Sequence, residues 1–307
     1  MGAKLKSIIR FTAHYKLLNF KDTPEKDGEF KSSLTLFDPN GNIVEEIKYS
    51  QEVEVEERIV NVYDSQNKLI EESIHFELDN VTEKRVIKRN EKGFAVEEEK
   101  HYSDGTSDLT VYKLDNDNNN IVEVLKYNED NTIETKVFIV YNDQNKLVEE
   151  KKLDGQDHVL EHRVQTYDEK GNVIEVTEYS PEENIAYRTV HTYDESGKNS
   201  SSSYFDAMDK LLLRTTSLYD ERGNLIEKFV EDFSSSTGKR NMKFEYDENN
   251  NCIEEAVYAA NGILIRRLSS KFDEIGNPIE ELNFEVDMSH GGRDEYFGNR
   301  YEYEFYE

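Results

Sequence analysis

The sequence repeats itself at an interval close to 26 residues, and this period constrains the fold more than any other feature. Eight of the ten repeats begin with Tyr or Phe, and successive starts are separated by 25 to 27 residues. A repeat of this length is too short for a four-stranded propeller blade, but it has room for two short strands and two turns. The repeats start at Phe37, Tyr63, Arg89, Leu114, Tyr141, Tyr167, Tyr193, Tyr219, Tyr246 and Phe272.

Each repeat carries the chemistry of a tight hairpin turn directly after its start. The second residue is Asp or Asn in all ten repeats, and Gly or Asn follows three residues later. Asp and Asn side chains bond the backbone two residues on, whereas Gly and Asn accept a left-handed backbone. This pattern predicts a type I turn closed by a left-handed residue, the hairpin loop with a G1 bulge. The predicted structural turn pairs are Asp38 and Gly41, Asp64 and Asn67, Asn90 and Gly93, Asp115 and Asn118, Asn142 and Asn145, Asp168 and Gly171, Asp194 and Gly197, Asp220 and Gly223, Asp247 and Asn250, and Asp273 and Gly276.

Two extended runs follow in each repeat, such as residues 173–179 and 186–193. Branched and aromatic residues alternate there with charged ones, which is typical of strands. We therefore predict an all-β fold, an antiparallel meander of about twenty strands built from ten hairpin repeats. Because sheets twist, we expect this meander to form an open, curved or spiralling single-layer sheet. Residues 1–36 are predicted to be an N-terminal degenerate repeat and cap, 37–285 the repeat array, and 286–307 an insertion with a capping strand.

The phrase Tyr-Asp-x-x-Gly-Asn, found at 167–172 and 219–224, resembles the YD-repeat or rearrangement-hotspot (Rhs) family. The likeness extends from Phe37 to about Phe284. Members of that family use YD repeats as β-hairpins in a large spiralling shell, which encloses a toxic domain in the large toxins. The resemblance implies a β-hairpin array with a role in handling or binding another protein. The repeat here is longer and more acidic than the usual YD repeat.

The charge balance narrows the class of partner. The chain has 66 acidic and 38 basic residues, a net charge of −28. Such a surface repels nucleic acid phosphates and anionic membranes, and no run is apolar for long enough to insert into a membrane. It favours a protein partner with a basic surface or divalent cations, or it serves only solubility.

A glutamate recurs eight residues into the repeats, and two interpretations of it remain open. It forms either an acidic stripe that docks a basic partner, or cross-strand ion pairs with the basic residues that recur five positions before the next start. The basic positions are Arg58, Lys84, Lys136, His162, Arg188, Arg214 and Arg267, and the repeat starting at Tyr193 has Ser201 in place of the glutamate. The stripe consists of Glu45, Glu71, Glu97, Glu149, Glu175, Glu227, Glu254 and Glu280, with Glu123 displaced by one residue.

No pattern indicates catalysis, a cofactor or a metal. Residues 114–120 place Asp115, Asp117 and Asn119 at alternate positions, like the start of a calcium loop, but the Gly at the sixth and the Glu at the twelfth position are missing. We interpret this segment as another hairpin turn. The sequence has no HExxH, P-loop or GxSxG motif, and the histidines His75 and His101 occupy an aromatic packing position.

The expected function is therefore that of a non-catalytic, acidic β-repeat scaffold that binds another protein. Two alternatives stay open: an immunity or antitoxin protein that neutralises a basic toxin, and an exported or cell-surface adhesive repeat protein. Cys252 is the only cysteine, which excludes a disulfide within the chain. Together with the lack of an apolar signal segment in residues 1–11, this favours a cytoplasmic location, while export stays possible if a signal peptide has been removed.

Overall fold

The computed structural model describes residues 4–16, 24–115, 119–235, 238–286 and 295–307. These residues form 22 antiparallel β-strands and no helix. The strands are β1 (Leu5–Lys16), β2 (Glu25–Phe37), β3 (Ile43–Tyr49), β4 (Val55–Tyr63), β5 (Leu69–Phe76), β6 (Val81–Arg89), β7 (Ala95–His101), β8 (Ser107–Leu114), β9 (Ile121–Tyr127), β10 (Ile133–Tyr141), β11 (Leu147–Asp154), β12 (Val159–Tyr167), β13 (Val173–Tyr179), β14 (Ile185–Tyr193), β15 (Asn199–Asp206), β16 (Leu211–Tyr219), β17 (Leu225–Asp232), β18 (Lys239–Tyr246), β19 (Cys252–Ala259), β20 (Leu264–Phe272), β21 (Pro278–Glu285) and β22 (Glu295–Phe305).

The Asx-initiated turn between β12 and β13 shows why the repeat makes hairpins. The backbone N–H of Asp168 donates to the carbonyl of Asn172 at 2.9 Å, and the N–H of Gly171 donates back to Asp168 O at 3.0 Å. The Asp168 carboxylate accepts the Asn172 N–H at 2.8 Å and its side-chain amide at 2.9 Å. Gly171 has a φ of 89°, which a Cβ would disfavour. The turn is therefore held from both its backbone and its side chains.

The same conformation recurs in the equivalent turns of the described residues. The closing residue has a positive φ in each of them, whether it is Gly or Asn. In the repeat that starts at Leu114 the loop is one residue longer, so that Asn119 takes the left-handed position; Asn118 lies outside the described residues. The left-handed residues are Gly41, Asn67, Gly93, Asn119, Asn145, Gly171, Gly197, Gly223, Asn250 and Gly276.

The second turn of most repeats forms the same pair of backbone hydrogen bonds as the first. Ser50 N–H donates to Glu54 O at 2.9 Å, and Val53 N–H donates back to Ser50 O at 3.0 Å. The left-handed residue there is Val53, with a φ of 64°, and Glu183 has a φ of 62° in its own repeat. A β-branched residue is strained in this conformation. These two second turns therefore keep the geometry with a residue that does not favour it, whereas Gly105, Asn131 and Gly262 suit the same position in other repeats.

In several repeats the tyrosine at the start ties its hairpin to the one before it. The Tyr193 hydroxyl donates to Val173 O at 2.7 Å, and the Tyr246 hydroxyl donates to Leu225 O at 2.9 Å. Where the repeat begins with Arg89, its guanidinium takes this role and donates to Leu69 O at 2.9 Å. We call the hydrogen bonds made by these tyrosines the tyrosine ladder, because they link neighbouring hairpins along the sheet.

The chain divides into two compact units. Unit 1 comprises residues 1–58 and 214–307, and unit 2 comprises residues 59–213. In unit 2 each strand from β5 to β15 pairs with the next. In unit 1 the pairing runs from β17 to β22, and from β1 to β3.

The ends of the meander pair with each other, so the expectation of an open, curved or spiralling sheet is wrong. β1 lies antiparallel to β22 over ten residue pairs, from Leu5 opposite Phe305 to Tyr15 opposite Tyr296. Arg300 of β22 reinforces this junction through two hydrogen bonds to Glu29 of β2, both at 3.2 Å, and its guanidinium lies over the Phe11 ring. This pairing covers edges of β1 and β22 whose N–H and C=O groups would otherwise be unpaired.

Very little of the described chain is buried. The buried apolar residues are few, and no large side chain is fully enclosed. This agrees with an apolar content of 36%. Strand ladders, turn hydrogen bonds and cross-strand side-chain pairs therefore hold the fold in place of a central core. The buried apolar residues are Ala13, Ile47, Leu125, Ala256 and Val257.

Candidate functional site

The eight glutamates of the predicted acidic stripe all lie within ion-pair distance of a basic side chain. In five repeats the partner is the Arg, Lys or His five residues before the next repeat start. Surface pairs of this kind contribute about 0–1 kcal/mol each, but they neutralise the stripe locally. The pairs are Glu45–Arg58 (3.5 Å), Glu71–Lys84 (2.8 Å), Glu97–Lys88 (2.5 Å), Glu149–His162 (2.9 Å), Glu175–Arg188 (3.1 Å), Glu227–Lys243 (3.9 Å), Glu254–Arg267 (3.6 Å) and Glu280–Lys271 (2.6 Å).

The carboxylates of the turn aspartates also have partners, because they accept hydrogen bonds within their own turns. The Asn172 side-chain amide, followed by the Asn172 backbone N–H, holds the pKa of the Asp168 carboxyl below its usual value. In another repeat the Lys68 backbone N–H does the same for the pKa of Asp64. These carboxylates are ionised and hydrogen-bonded within their own turns. They therefore contribute negative charge to the edge of the sheet without being free to rearrange around a ligand.

A third set of carboxylates, which the repeat analysis missed, is exposed at the turn edge of unit 1. Three consecutive Asx turns there, residues 220–224, 247–251 and 273–277, each carry a glutamate directly after the aspartate. We call Glu221, Glu248 and Glu274 the acidic turn row. All three are exposed, and their carboxylates form no ion pair among the described residues.

Few basic residues offset the negative charge of the acidic turn row. The three turns contain six carboxylates and one basic residue, Arg222. Because equivalent loops of a meander lie two strands apart on the same edge, the three glutamates are spaced by about 10 Å. In unit 2, Glu91, Glu169 and Glu195 occupy the same turn position, but lysines accompany each of those turns. The signal that identifies the row is therefore the lack of nearby lysines rather than the glutamates themselves.

His162 and Asp115 both lie in structural contacts. His162 is held between the carboxylates of Glu149 at 2.9 Å and Glu183 at 3.7 Å, and it stacks on Tyr179. Asp115 accepts the Asn120 N–H at 3.3 Å and its side-chain amide at 3.2 Å, as a turn residue does.

Asp117 of the calcium-like pattern lies outside the described residues. Across the part of the chain that the structure describes, no group of three or more His, Cys, Asp or Glu side chains could hold a metal ion. Nor does any described segment form a helix with the length and apolar character of a membrane span.

Comparisons with known proteins return structural similarity only. No family model matches the chain, and no curated protein matches it. The TcdB2-TccC3-Cdc42 crystal structure is similar over 91% of this chain and 18% of that chain, with 10% identity and a TM-score of 0.37. The Tc holotoxin pore of Photorhabdus luminescens, with a TccC3 mutation, is similar over 92% and 18% respectively, again with 10% identity and a TM-score of 0.37.

A porin-like protein from Bacteroides uniformis is similar over 99% of both chains, with 9% identity and a TM-score of 0.34. The chain thus spans less than a fifth of the length of the two toxin chains. At TM-scores this low, the similarities assign neither a family nor a function. The class that the fold itself defines is an all-β antiparallel repeat protein.

Proposed function

We propose that this chain is a non-catalytic β-repeat scaffold that binds a protein with a basic surface through the acidic turn row. The observation that carries the proposal is the contrast between two sets of glutamates. The glutamates of the acidic stripe are paired with basic side chains. Glu221, Glu248 and Glu274 instead remain exposed without ion pairs among the described residues. Unpaired surface charge steers a complementary partner and fixes its register.

The tyrosine and aspartate contacts support a YD-repeat-like architecture as part of this proposal. The aspartate closes its own turn, and the tyrosine hydroxyl ties that turn to the preceding hairpin. Both contacts are made by the residues that carry the resemblance. An array stabilised in this way presents its loops at regular intervals, which suits the display of a charged edge to a partner protein.

The test compares two variants that change the same number of charges at the same turn position. The first replaces Glu221, Glu248 and Glu274 with Gln, and the control replaces Glu91, Glu169 and Glu195 with Gln. The turn aspartates stay in place in both variants, so the hairpins are preserved. Partners captured from the source cells by the immobilised wild-type chain are identified, purified and titrated against all three proteins.

We expect a partner with a basic surface that binds the first variant about tenfold more weakly, since removal of charges at an interface rim slows association. The control variant should bind within about twofold of wild type, and binding should weaken as salt is raised. Equal binding by the two variants would refute the role of the row, as would a partner that is retained regardless of salt. A basic toxin as the captured partner would specify the immunity form of the proposal.

A further inference from the structure

A cleft of about 750 Å³ opens on unit 1 where one repeat departs from the pattern of the others. Its lining includes Phe229 of β17, Lys239, Asn241 and Lys243 of β18, and Tyr258 of β19. A volume of this size suits a small organic ligand. None of these side chains belongs to the acidic turn row.

The departure is visible in the sequence of β18. Most repeats carry Arg, Lys or His five residues before the next start, and an uncharged Val, Phe, Thr or Ser three residues before it. Before Tyr246 these positions are Asn241 and Lys243. The shorter Asn leaves open the space that a long basic side chain fills elsewhere. Small residues at the rim, Ala259 and Gly262, widen the opening.

Two aromatic side chains flank the vacated position on the same face of the sheet. Phe229 and Tyr258 lie directly opposite Asn241 on its two neighbouring strands. Two strand spacings separate the aromatic residues by about 9–10 Å, which leaves a slot about one ring wide above Asn241. The Asn241 amide donates to Glu227 at 2.8 Å, while its buried Oδ1 has no hydrogen-bond partner among the described residues.

The cleft is less acidic than the chain as a whole. Lys239 and Lys243 line it together with Glu231, and the Glu227 carboxylate lies beside Asn241 and Lys243. Across the whole sequence, acidic residues outnumber basic ones by 66 to 38. Lys239 is paired with Glu231 at 2.9 Å, but Lys243 is only loosely held by Glu227 at 3.9 Å, so its ammonium is available to an anion.

We propose that this cleft binds a carboxylated sugar, either free or as a residue of a glycan. The aromatic side chains would cover the apolar faces of the ring. The Asn241 Oδ1 would accept a hydrogen bond from a ring hydroxyl, and the Lys243 ammonium would form an ion pair with the carboxylate. A neutral sugar would lose the ion pair, and a bare anion would lose the ring contacts, so affinity requires both features in one ligand.

The proposal is tested by ligand-observed NMR and calorimetry on the full chain. The probes are D-glucuronate, a glucuronate-containing oligosaccharide, D-glucose and inorganic phosphate. We expect saturable binding of glucuronate with contacts to its ring protons, at least tenfold weaker binding of glucose, and no displacement by phosphate. Stronger binding of the oligosaccharide would identify a glycan residue as the ligand, and equal binding per sugar would identify the free sugar.

Asn241→Arg provides the sharpest variant because it restores the residue type of the other repeats. It should fill the slot and pair with Glu227, so we expect binding to fall at least tenfold while the melting temperature is kept. Lys243→Val, also a return to the common pattern, should remove the preference for glucuronate over glucose. Arg188→Lys, at the position equivalent to Asn241 in unit 2, is the control and should leave binding unchanged.

Three results would overturn the proposal. They are the lack of saturable glucuronate binding by the wild-type chain, equal affinity for glucose and glucuronate, and binding that persists in both folded cleft variants. Each of these results leaves the protein-binding role of the acidic turn row unaffected, because that edge carries different residues.

Discussion

Removing one hydroxyl from the tyrosine ladder should destabilise the fold by a measurable amount. The Tyr193 hydroxyl donates to Val173 O at 2.7 Å. Tyr193→Phe keeps the ring and deletes only this hydrogen bond, which contributes about 1 kcal/mol in folded proteins. The equivalent change at Tyr141, whose hydroxyl donates to Ile121 O at 3.2 Å, should cost a similar amount.

The two ladder sites are far enough apart to be treated as independent. They lie four strands apart, or about 19 Å, so the double variant should lose about 2 kcal/mol. The entropy of unfolding of a chain of this length makes 1 kcal/mol worth roughly 1.5 °C in Tm. The free energy of unfolding is measured by urea denaturation followed by circular dichroism, and Tm by calorimetry.

A matched control separates the hydrogen bond from the effect of the substitution itself. Tyr179 closes β13 in the same unit and stacks on His162, and its hydroxyl makes no hydrogen bond among the described residues. Tyr179→Phe should therefore change the free energy of unfolding by less than about 0.5 kcal/mol. If Tyr193→Phe falls within the same range as this control, the hydroxyl does not stabilise the ladder and the account of the repeat start is incorrect.

Three further outcomes follow from the turns and the closure. Val53→Gly should stabilise the chain by about 0.5–1 kcal/mol, since a β-branched residue is strained at positive φ and the gain exceeds the extra backbone entropy of Gly; a loss of stability in urea titration would contradict this. The pKa of the Asp168 and Asp247 carboxyls is lowered first by the side-chain amides of Asn172 and Asn251. Their stabilisation is therefore complete above the ordinary Asp pKa near 3.8 and should be lost as pH falls below it, in an acid titration of Tm; a Tm that is flat from pH 5 to pH 2 would rule this out. Deleting residues 295–307 removes β22 and leaves one edge of β1 and one edge of β21 unpaired, so light scattering should detect self-association that the full chain does not show.

The sequence predicts the hairpins well because their determinants are neighbours along the chain. Asp168, Gly171 and Asn172 lie within five residues, and their chemistry alone specifies the turn. The strands follow from the turns, since each is bounded by two of them. The second turns are harder to predict, because Val53 takes a left-handed conformation that its own side chain disfavours.

The pairing of β1 with β22 could not be predicted, because no local pattern records it. It joins residues almost 300 positions apart. Whether a basic side chain offsets the charge of a glutamate also depends on contacts across strands. Glu175 is neutralised by Arg188 from the neighbouring strand, whereas Glu221 has no such partner in the part of the chain that the structure describes. Counting acidic residues along the repeat therefore identifies a periodic stripe but not which carboxylates remain available.

The antiparallel contact between the terminal strands requires the array to contain an even number of strands. When every strand reverses direction, the first and last can meet in opposite directions only if their number is even, as 22 is. Duplication or loss of one whole repeat changes the count by two and preserves the contact, whereas gain of a single strand would bring the two ends together in the same direction. Such a chain can therefore change its number of strands during evolution only in steps of a complete hairpin.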